Sequence, residues 1–222
     1  MIRIAIDGPS GSGKSTLAKA IAKELGIVYV DTGALYRTIG YYVFTKGGKP
    51  DDASCVEALL PEINIDIKYE DGTQFVYLNG ENLGDKIRQP HISMYASAVS
   101  AIPAVRAFLL EMQKDLARRN SVVMDGRDIG TVIIPDADLK IFLQASNECR
   151  ARRRTAELSE KGVSTSYEEV LADMVERDKN DRSRDIAPAV PADDAIIMDN
   201  SDMTVEQSLA EVVKLINEKR KN

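Results

Sequence analysis

Ile2-Arg-Ile-Ala-Ile-Asp7 runs without a break into Gly8-Pro-Ser-Gly-Ser-Gly-Lys14-Ser15-Thr16. The first six residues are largely apolar, as in a buried strand, and the next eight satisfy G-x-x-x-x-G-K-[ST]. Residues 15–25 then repeat apolar side chains at helical spacing, and Gly26 stands where a helix C-cap glycine belongs. A strand, a glycine-rich turn and a helix in this order form a cradle for phosphate. The glycines let backbone N–H groups turn inward, and the helix N-terminus adds partial positive charge. A chance Gly/Ser turn would lack the strand before it and the helix after it. Gly8, Pro9, Ser10, Gly11, Ser12, Gly13, Lys14, Ser15 and Thr16 are therefore the candidate residues around a nucleoside triphosphate. In such loops the lysine bridges the β- and γ-phosphates and the following hydroxyl ligates Mg²⁺, which are the roles expected of Lys14 and Ser15.

Working outward, residues 27–31, 121–125, 139–145 and 195–199 are four more short apolar runs. With residues 2–7 they read as five strands covered on both faces, because they are continuously apolar rather than alternating. Helical stretches separate them. Ser166 with Glu169, and Thr204 with Gln207, form capping boxes that open two of these helices. In the last helix Val205, Leu209, Val212 and Ile216 share one face. The alternation predicts an α/β protein with a five-stranded parallel sheet, the three-layer P-loop NTPase fold. Two stretches interrupt it. Over residues 63–84 the period drops to two, through Ile63, Ile65, Ile67 and Tyr69, with turn signals at Asp71-Gly72 and Asn79-Gly80; this predicts a small inserted antiparallel sheet. Residues 147–186 read as a charged helical pair broken at Gly162.

A chain of 222 residues fits one large domain, or one core carrying inserted subdomains. Hydrophobic residues at 44% suffice for a buried core. A formal net charge of −6 argues against broad electrostatic binding to nucleic acid or anionic membrane. Cys55 and Cys149 belong to no Cys-x-x-Cys pair, which suggests neither a disulfide framework nor a zinc site. No apolar run approaches the roughly 18 residues of a spanning helix. No basic-then-apolar signal pattern precedes the first strand, so a cytoplasmic protein is expected.

A kinase for a hydroxyl acceptor positions a carboxylate to take its proton, whereas an acceptor phosphate is already ionised and needs cations instead. The sequence leans to the second case. Its one histidine, His91, falls in an expected loop beyond the inserted sheet, while arginines stand at strand ends. Asp31-Thr-Gly-Ala-Leu-Tyr-Arg37 follows the second strand and Asp125-Gly-Arg-Asp128 the third. Ligands of open parallel sheets lie beyond the carboxyl ends of strands, so both loops should face the phosphate cradle. An apolar strand ending in Asp125 also resembles the second nucleotide-site motif, whose Asp helps hold Mg²⁺. Read singly, each loop is equally an Asp-led turn capping the next helix. In the charged pair, Arg150, Arg152, Arg153 and Arg154 crowd five residues, and Arg177, Asp181 and Arg184 share one helical face. Arginine suits bidentate phosphate contact, and a closing lid would exclude water from the transfer.

Taken together, the phosphate loop, the Asp31–Arg37 and Asp125–Val132 motifs, and Arg177-Asp-Lys-Asn-Asp-Arg-Ser-Arg184 with Ala187-Pro-Ala resemble the bacterial cytidylate kinases over essentially the whole chain. The resemblance implies a core of residues 1–40, 115–146 and 187–222, a monophosphate-binding domain of 41–114 carrying the insert, and a lid of 147–186. It implies ATP as phosphoryl donor with Mg²⁺, and CMP or dCMP as acceptor. It assigns Arg37, Arg127 and Arg184 to the acceptor phosphate, with Thr32 and Tyr36 nearby. Ser97, Arg106 and Asp128 would face cytosine, whose exocyclic amine needs an acceptor and whose N3 and O2 need a donor. Arg177 and Asp181 would contact the sugar, and Arg153 and Arg154 would meet the ATP phosphates from the lid. With Lys14, the cations Arg127, Arg153, Arg154 and Arg184 form the expected catalytic set. A monomer that binds neither nucleic acid nor membrane is the corresponding expectation. A kinase for another small acceptor, and a nucleotide-controlled RNA-binding switch, are the rival readings; the acidic balance, absence of Trp and four Phe count against the switch.

Overall fold

The computed structural model describes residues 1–70, 73–160 and 162–219. Its core strands are β1 (Arg3–Asp7), β2 (Val28–Asp31), β6 (Val122–Gly126), β7 (Leu139–Gln144) and β8 (Ile196–Asp199), each within one residue of its sequence-predicted bounds. They form a five-stranded sheet in the order β2-β6-β1-β7-β8. β1 is central and parallel to both neighbours, with Ile6 opposite Asp125 on β6 and Ile141 on β7. The chain crosses from β1 to β2 on one side and later passes over β1 from β6 to β7 on the other, so the crevice beyond the carboxyl end of β1 is the switch point where open α/β sheets take ligands. This is the P-loop α/β fold expected from the strand–helix alternation.

The chain divides into two compact units. The first comprises Met1–Ile27 and Ser121–Asn222. In it α1 (Lys14–Leu25) buries Leu17, Ala18, Ile21 and Ala22 and ends on Gly26 in the left-handed conformation, which donates its N–H to the Ala22 carbonyl. α6 (Asn147–Glu160) and α7 (Tyr167–Ser183) pack through Ala151, Leu158, Val170 and Met174. The Ser166–Glu169 capping box opens α7 as predicted. The Thr204–Gln207 box likewise opens α8 (Val205–Lys219). The buried stripe of α8 differs from the expected one. It runs Ser208, Val212, Ile216 at i, i+4 and i+8, with Leu209 half-buried and Val205 exposed.

The second unit is Val28–Asn120. Between α2 (Thr32–Thr45) with α3 (Ala53–Leu59) and α4 (Pro90–Val99) with α5 (Pro103–Arg119) lies the antiparallel sheet β3 (Ile65–Glu70), β4 (Thr73–Leu78) and β5 (Glu81–Asn82). The period-two pattern is read out faithfully, with Ile63 and Ile65 buried and their polar neighbours exposed. Asn79 and Gly80 both have positive φ, the primed turn that joins Leu78 to its partner Glu81. The Asp71-Gly72 turn lies outside the described residues. His91 sits on α4 rather than in a loop, since Pro90 starts a helix at its first position, and its ring lies 4.6 Å from that of Phe44.

Candidate functional site

In the first unit the loop after β1 closes round the Lys14 side chain. Gly8 has a φ of +146°, and a Cβ there would lie 2.0 Å from the Leu143 carbonyl oxygen of β7. Only glycine lets the chain leave β1 this close to its neighbour. Lys14 is 6% exposed, and its ammonium donates to the Pro9 carbonyl at 2.6 Å and to Ser12 Oγ at 3.4 Å. Burial, then the positive field of Arg127, push its pKa well below the lysine value, against the pull of Asp125 and Asp7. A site arranged so is short of negative charge, and a phosphate supplies it.

The Ser15 hydroxyl donates to Asp125 Oδ2 at 2.8 Å. A hydroxyl and one carboxylate at the head of α1 fit Mg²⁺, which takes few protein oxygens and completes its shell with phosphates and water. A dedicated cage of three or more His, Cys, Asp or Glu side chains is absent among the described residues.

Beyond β6, Arg127 donates from Nε to Asp181 Oδ2 at 2.9 Å and from Nη1 to the Gly126 carbonyl at 3.2 Å. Arg184 donates from Nε to the Ala187 carbonyl at 2.6 Å, and its guanidinium lies 3.8 Å from Asp128 Oδ1 and 3.9 Å from Asp181 Oδ1. Asp181 thus lies between two arginines. Burial works to raise its pKa, and Arg127, Arg177 and Arg184 outweigh it and hold the carboxyl below its ordinary value. Burial likewise opposes the charge on Arg127, and Asp181 reverses the balance, holding that guanidinium above its ordinary value. Arg127 is thereby kept charged and held on the Asp181 carboxylate, with the Arg184 guanidinium 3.9 Å from the other oxygen of that group.

The arginines crowded at the start of α6 separate into different tasks. Arg150 is buried; it pairs with Asp178 at 2.6 Å and donates to the Ser10 carbonyl at 2.7 Å and the Ala145 carbonyl at 3.1 Å. Asp178 in turn accepts from the Ser10 N–H at 3.1 Å. This pair clamps the phosphate loop's backbone. Arg152 is exposed. Arg153 donates to Asn200 Oδ1 at 3.2 Å and to its carbonyl at 2.8 Å, and the Asn200 amide reaches the Ser12 carbonyl at 3.0 Å. Arg154 pairs with Glu157 at 2.7 Å.

In the second unit Asp31 does two things at once. Its Oδ1 caps α2 by accepting from the Ala34 N–H at 2.9 Å, while Oδ2 holds Arg37 at 2.7 Å and Arg88 at 3.4 Å. Gln74 of β4 fixes the Asp31 backbone through its own amide, at 2.8 Å. The turn-capping reading of the Asp31 loop therefore holds, and the same carboxylate also orients two arginines. Arg37 Nε is buried without a hydrogen-bond partner among the described residues, a donor suited to an incoming anion. Thr32 is buried at the start of α2, and the Arg106 guanidinium lies 5.7 Å from the Tyr36 ring centroid and donates to the Ser100 carbonyl at 3.2 Å. Ser97 is half-buried on α4.

The expected residues thus form two constellations. Lys14, Ser15, Arg127, Asp128, Asp181, Arg184 and the α6 arginines belong to the first unit, and Thr32, Tyr36, Arg37, Ser97 and Arg106 to the second. Asp7, Asp178, Asn200 and Arg88 join them without having been foreseen. Asp7 reads from sequence as an ordinary strand end, and Asp178 and Arg88 as surface charges. Asn200, directly after β8, carried the one signal available: it ends a strand of a parallel sheet.

The family model for cytidylate kinase matches residues 4–218. A cytidylate kinase from Caldicellulosiruptor saccharolyticus is 49% identical, covering 96% of this chain and 95% of the relative. One from Flavobacterium johnsoniae is 48% identical, covering 98% and 96% respectively. Among solved structures, an uncharacterized protein from Eubacterium ventriosum superposes with a TM-score of 0.52 at 14% identity, over 98% of this chain and 99% of that one, a likeness of fold alone. A match over nearly the whole chain, with relatives close to half identical, means that the chain belongs to the cytidylate kinase family.

Proposed function

We propose that the chain transfers the γ-phosphoryl group of ATP to CMP or dCMP, giving ADP and CDP or dCDP. The observation that carries the reading is the buried Lys14 in its loop, with Ser15 Oγ 2.8 Å from Asp125 and with Arg127 and Arg184 gathered on Asp181 in the same unit. Lys14 and the loop amides hold the donor phosphates. Arg127 and Arg184, with Arg37, neutralise the acceptor phosphate, whose oxyanion attacks in line without a general base. Ser15 and Asp125 are the residues that would hold Mg²⁺, which, when bound, offsets charge on the β- and γ-phosphate oxygens. Asp128 accepts from the exocyclic amine of cytosine, with Arg106 and Ser97 on its other polar edge. Uracil would leave that carboxylate facing an oxygen, a mismatch that discriminates strongly. Thr32 and Tyr36 flank the acceptor phosphate, and Arg177 meets the sugar. Asp181 serves the sugar and the two arginines alike. Arg153 and Arg154 reach the ATP phosphates when residues 147–186 close as a lid, excluding water.

A cytoplasmic monomer is the accompanying reading. It is supported by the acidic balance and by the lack, among the described residues, of a single helix long and apolar enough to cross a membrane. A coupled assay of ADP release against CMP, dCMP, UMP and AMP tests the assignment. The cytidine acceptors give the highest kcat/KM; a preference for UMP or AMP would refute it.

A further inference from the structure

Asp7 is the last residue of β1 and stands directly before Gly8. Its side chain is 4% exposed. Its oxygens are divided between two successive backbone amides: Oδ1 accepts from the Ile129 N–H at 2.8 Å and Oδ2 from the Gly130 N–H at 2.8 Å. Those amides open the π-helical turn Ile129–Ile133. The turn's own bonds start later, from Val132 to the Asp128 carbonyl at 2.9 Å and from Ile134 to that of Ile129 at 2.8 Å. The first N–H groups of a helical turn have no partner within it, and Asp7 supplies one for each. Gly130 allows the approach, since a Cβ there would meet Lys140 Cδ at 3.1 Å and Asp7 Oδ2 at 3.4 Å. The Lys140 ammonium, though near, is committed to Asp194 at 2.7 Å.

A buried carboxylate offset by amides rather than by a contacting cation is an expensive way to fill a strand end. The cost is visible in its acidity. Burial, helped by the Asp128 charge, raises the Asp7 carboxyl to about 6, against the two amides and the more distant Lys14. The residues it holds in place follow directly on Arg127 and Asp128. We propose that Asp7 is a positioning residue for the acceptor: it ties the Arg127-Asp128 segment to the strand that carries the phosphate loop, so that acceptor contacts and donor cradle keep one fixed spacing. The inference rests on the roles proposed above for Arg127 and Asp128.

Asp7→Asn tests it with little change of shape. Its amide oxygen can accept from one N–H, while its NH₂ group meets the other donor to donor. Losing one charge-assisted bond of this kind should raise the KM for CMP about tenfold. The KM for ATP stays within about twofold, because the loop's own phosphate contacts are untouched. The preference for CMP over UMP falls as well. A KM for CMP that does not move, or that rises only in step with the KM for ATP, overturns the proposal. Asp128→Ala, assayed alongside, keeps the two ideas apart. If it leaves the CMP-over-UMP preference unchanged, the base reading fails, while the KM for CMP in Asp7→Asn still decides the positioning role through the phosphate grip. Should Asp7→Asn not fold, amide hydrogen exchange on the unaltered chain decides instead. Slow exchange at both Ile129 and Gly130 is expected; exchange at either as fast as in an unstructured peptide overturns the proposal.

Discussion

Lys14 shows how a residue's chemistry depends on what the fold denies it. Taken out of water and faced by Arg127, its ammonium loses affinity for its proton, and it donates to the Pro9 carbonyl. In the function proposed above, triphosphate oxygens replace that carbonyl, and the bond to them tightens as charge develops in the transition state. Lys14→Ala should therefore lower kcat by at least about 100-fold and leave the KM for CMP near its original value. Steady-state kinetics with each substrate varied checks this; near-normal turnover would remove Lys14 from the mechanism. Asp181 is the complementary case. Its carboxylate accepts from Arg127 at 2.9 Å and lies 3.9 Å from Arg184. One acidic residue thus joins a neighbour on its own helical face, legible in the spacing, to an arginine 54 positions away that the spacing could not show.

Among the elements, the strand–loop–helix unit from β1 to α1 is the most tightly determined. Gly8 is the tightest point, since the Leu143 carbonyl occupies the space of a side chain and its φ of +146° strains any L residue. Gly8→Ala should cost more than about 4 kcal/mol, a loss on the scale reserved for severe steric or backbone conflict. Urea unfolding of the variant checks the figure, and a midpoint close to that of the unaltered chain would contradict the packing described. The α6–α7 pair has a different character. Its charges look alike in sequence, yet Arg150 is locked under the phosphate loop by Asp178 while Arg152 stays in solvent. Arg153 and Arg154, further along, are half-buried.

For the whole molecule, stability responds to pH through two buried carboxylates of opposite tendency. The Asp7 pKa is raised from 3.8 to about 6, so between those values the folded chain holds a proton that the unfolded chain has released. Stability therefore falls as pH rises across that window, and the penalty stays constant above it. Asp181 is lowered, so its contribution is present above its unfolded value and is lost as pH falls through its folded one. Thermal unfolding of the unaltered chain and of Asp7→Asn at a series of pH values between about 4 and 7 separates them. The variant should lack the downward slope; parallel curves would show that Asp7 does not titrate in that range.

Strand, loop and helix order follow from the sequence alone, because apolar runs, capping boxes and glycines at special φ values are local constraints that act within a few residues. The chemistry of the phosphate loop was legible for the same reason: its eight residues carry the whole motif. What only the tertiary structure decided is which charges meet. Asp7 with the Ile129 and Gly130 amides, Arg150 with Asp178, Arg153 with Asn200, and Arg127 with Asp181 are brought together from 28 to 123 positions apart. Ion pairs and buried amides at such separations depend on which strands lie side by side. The linear pattern of charge does not record that order, and close packing in the core enforces it.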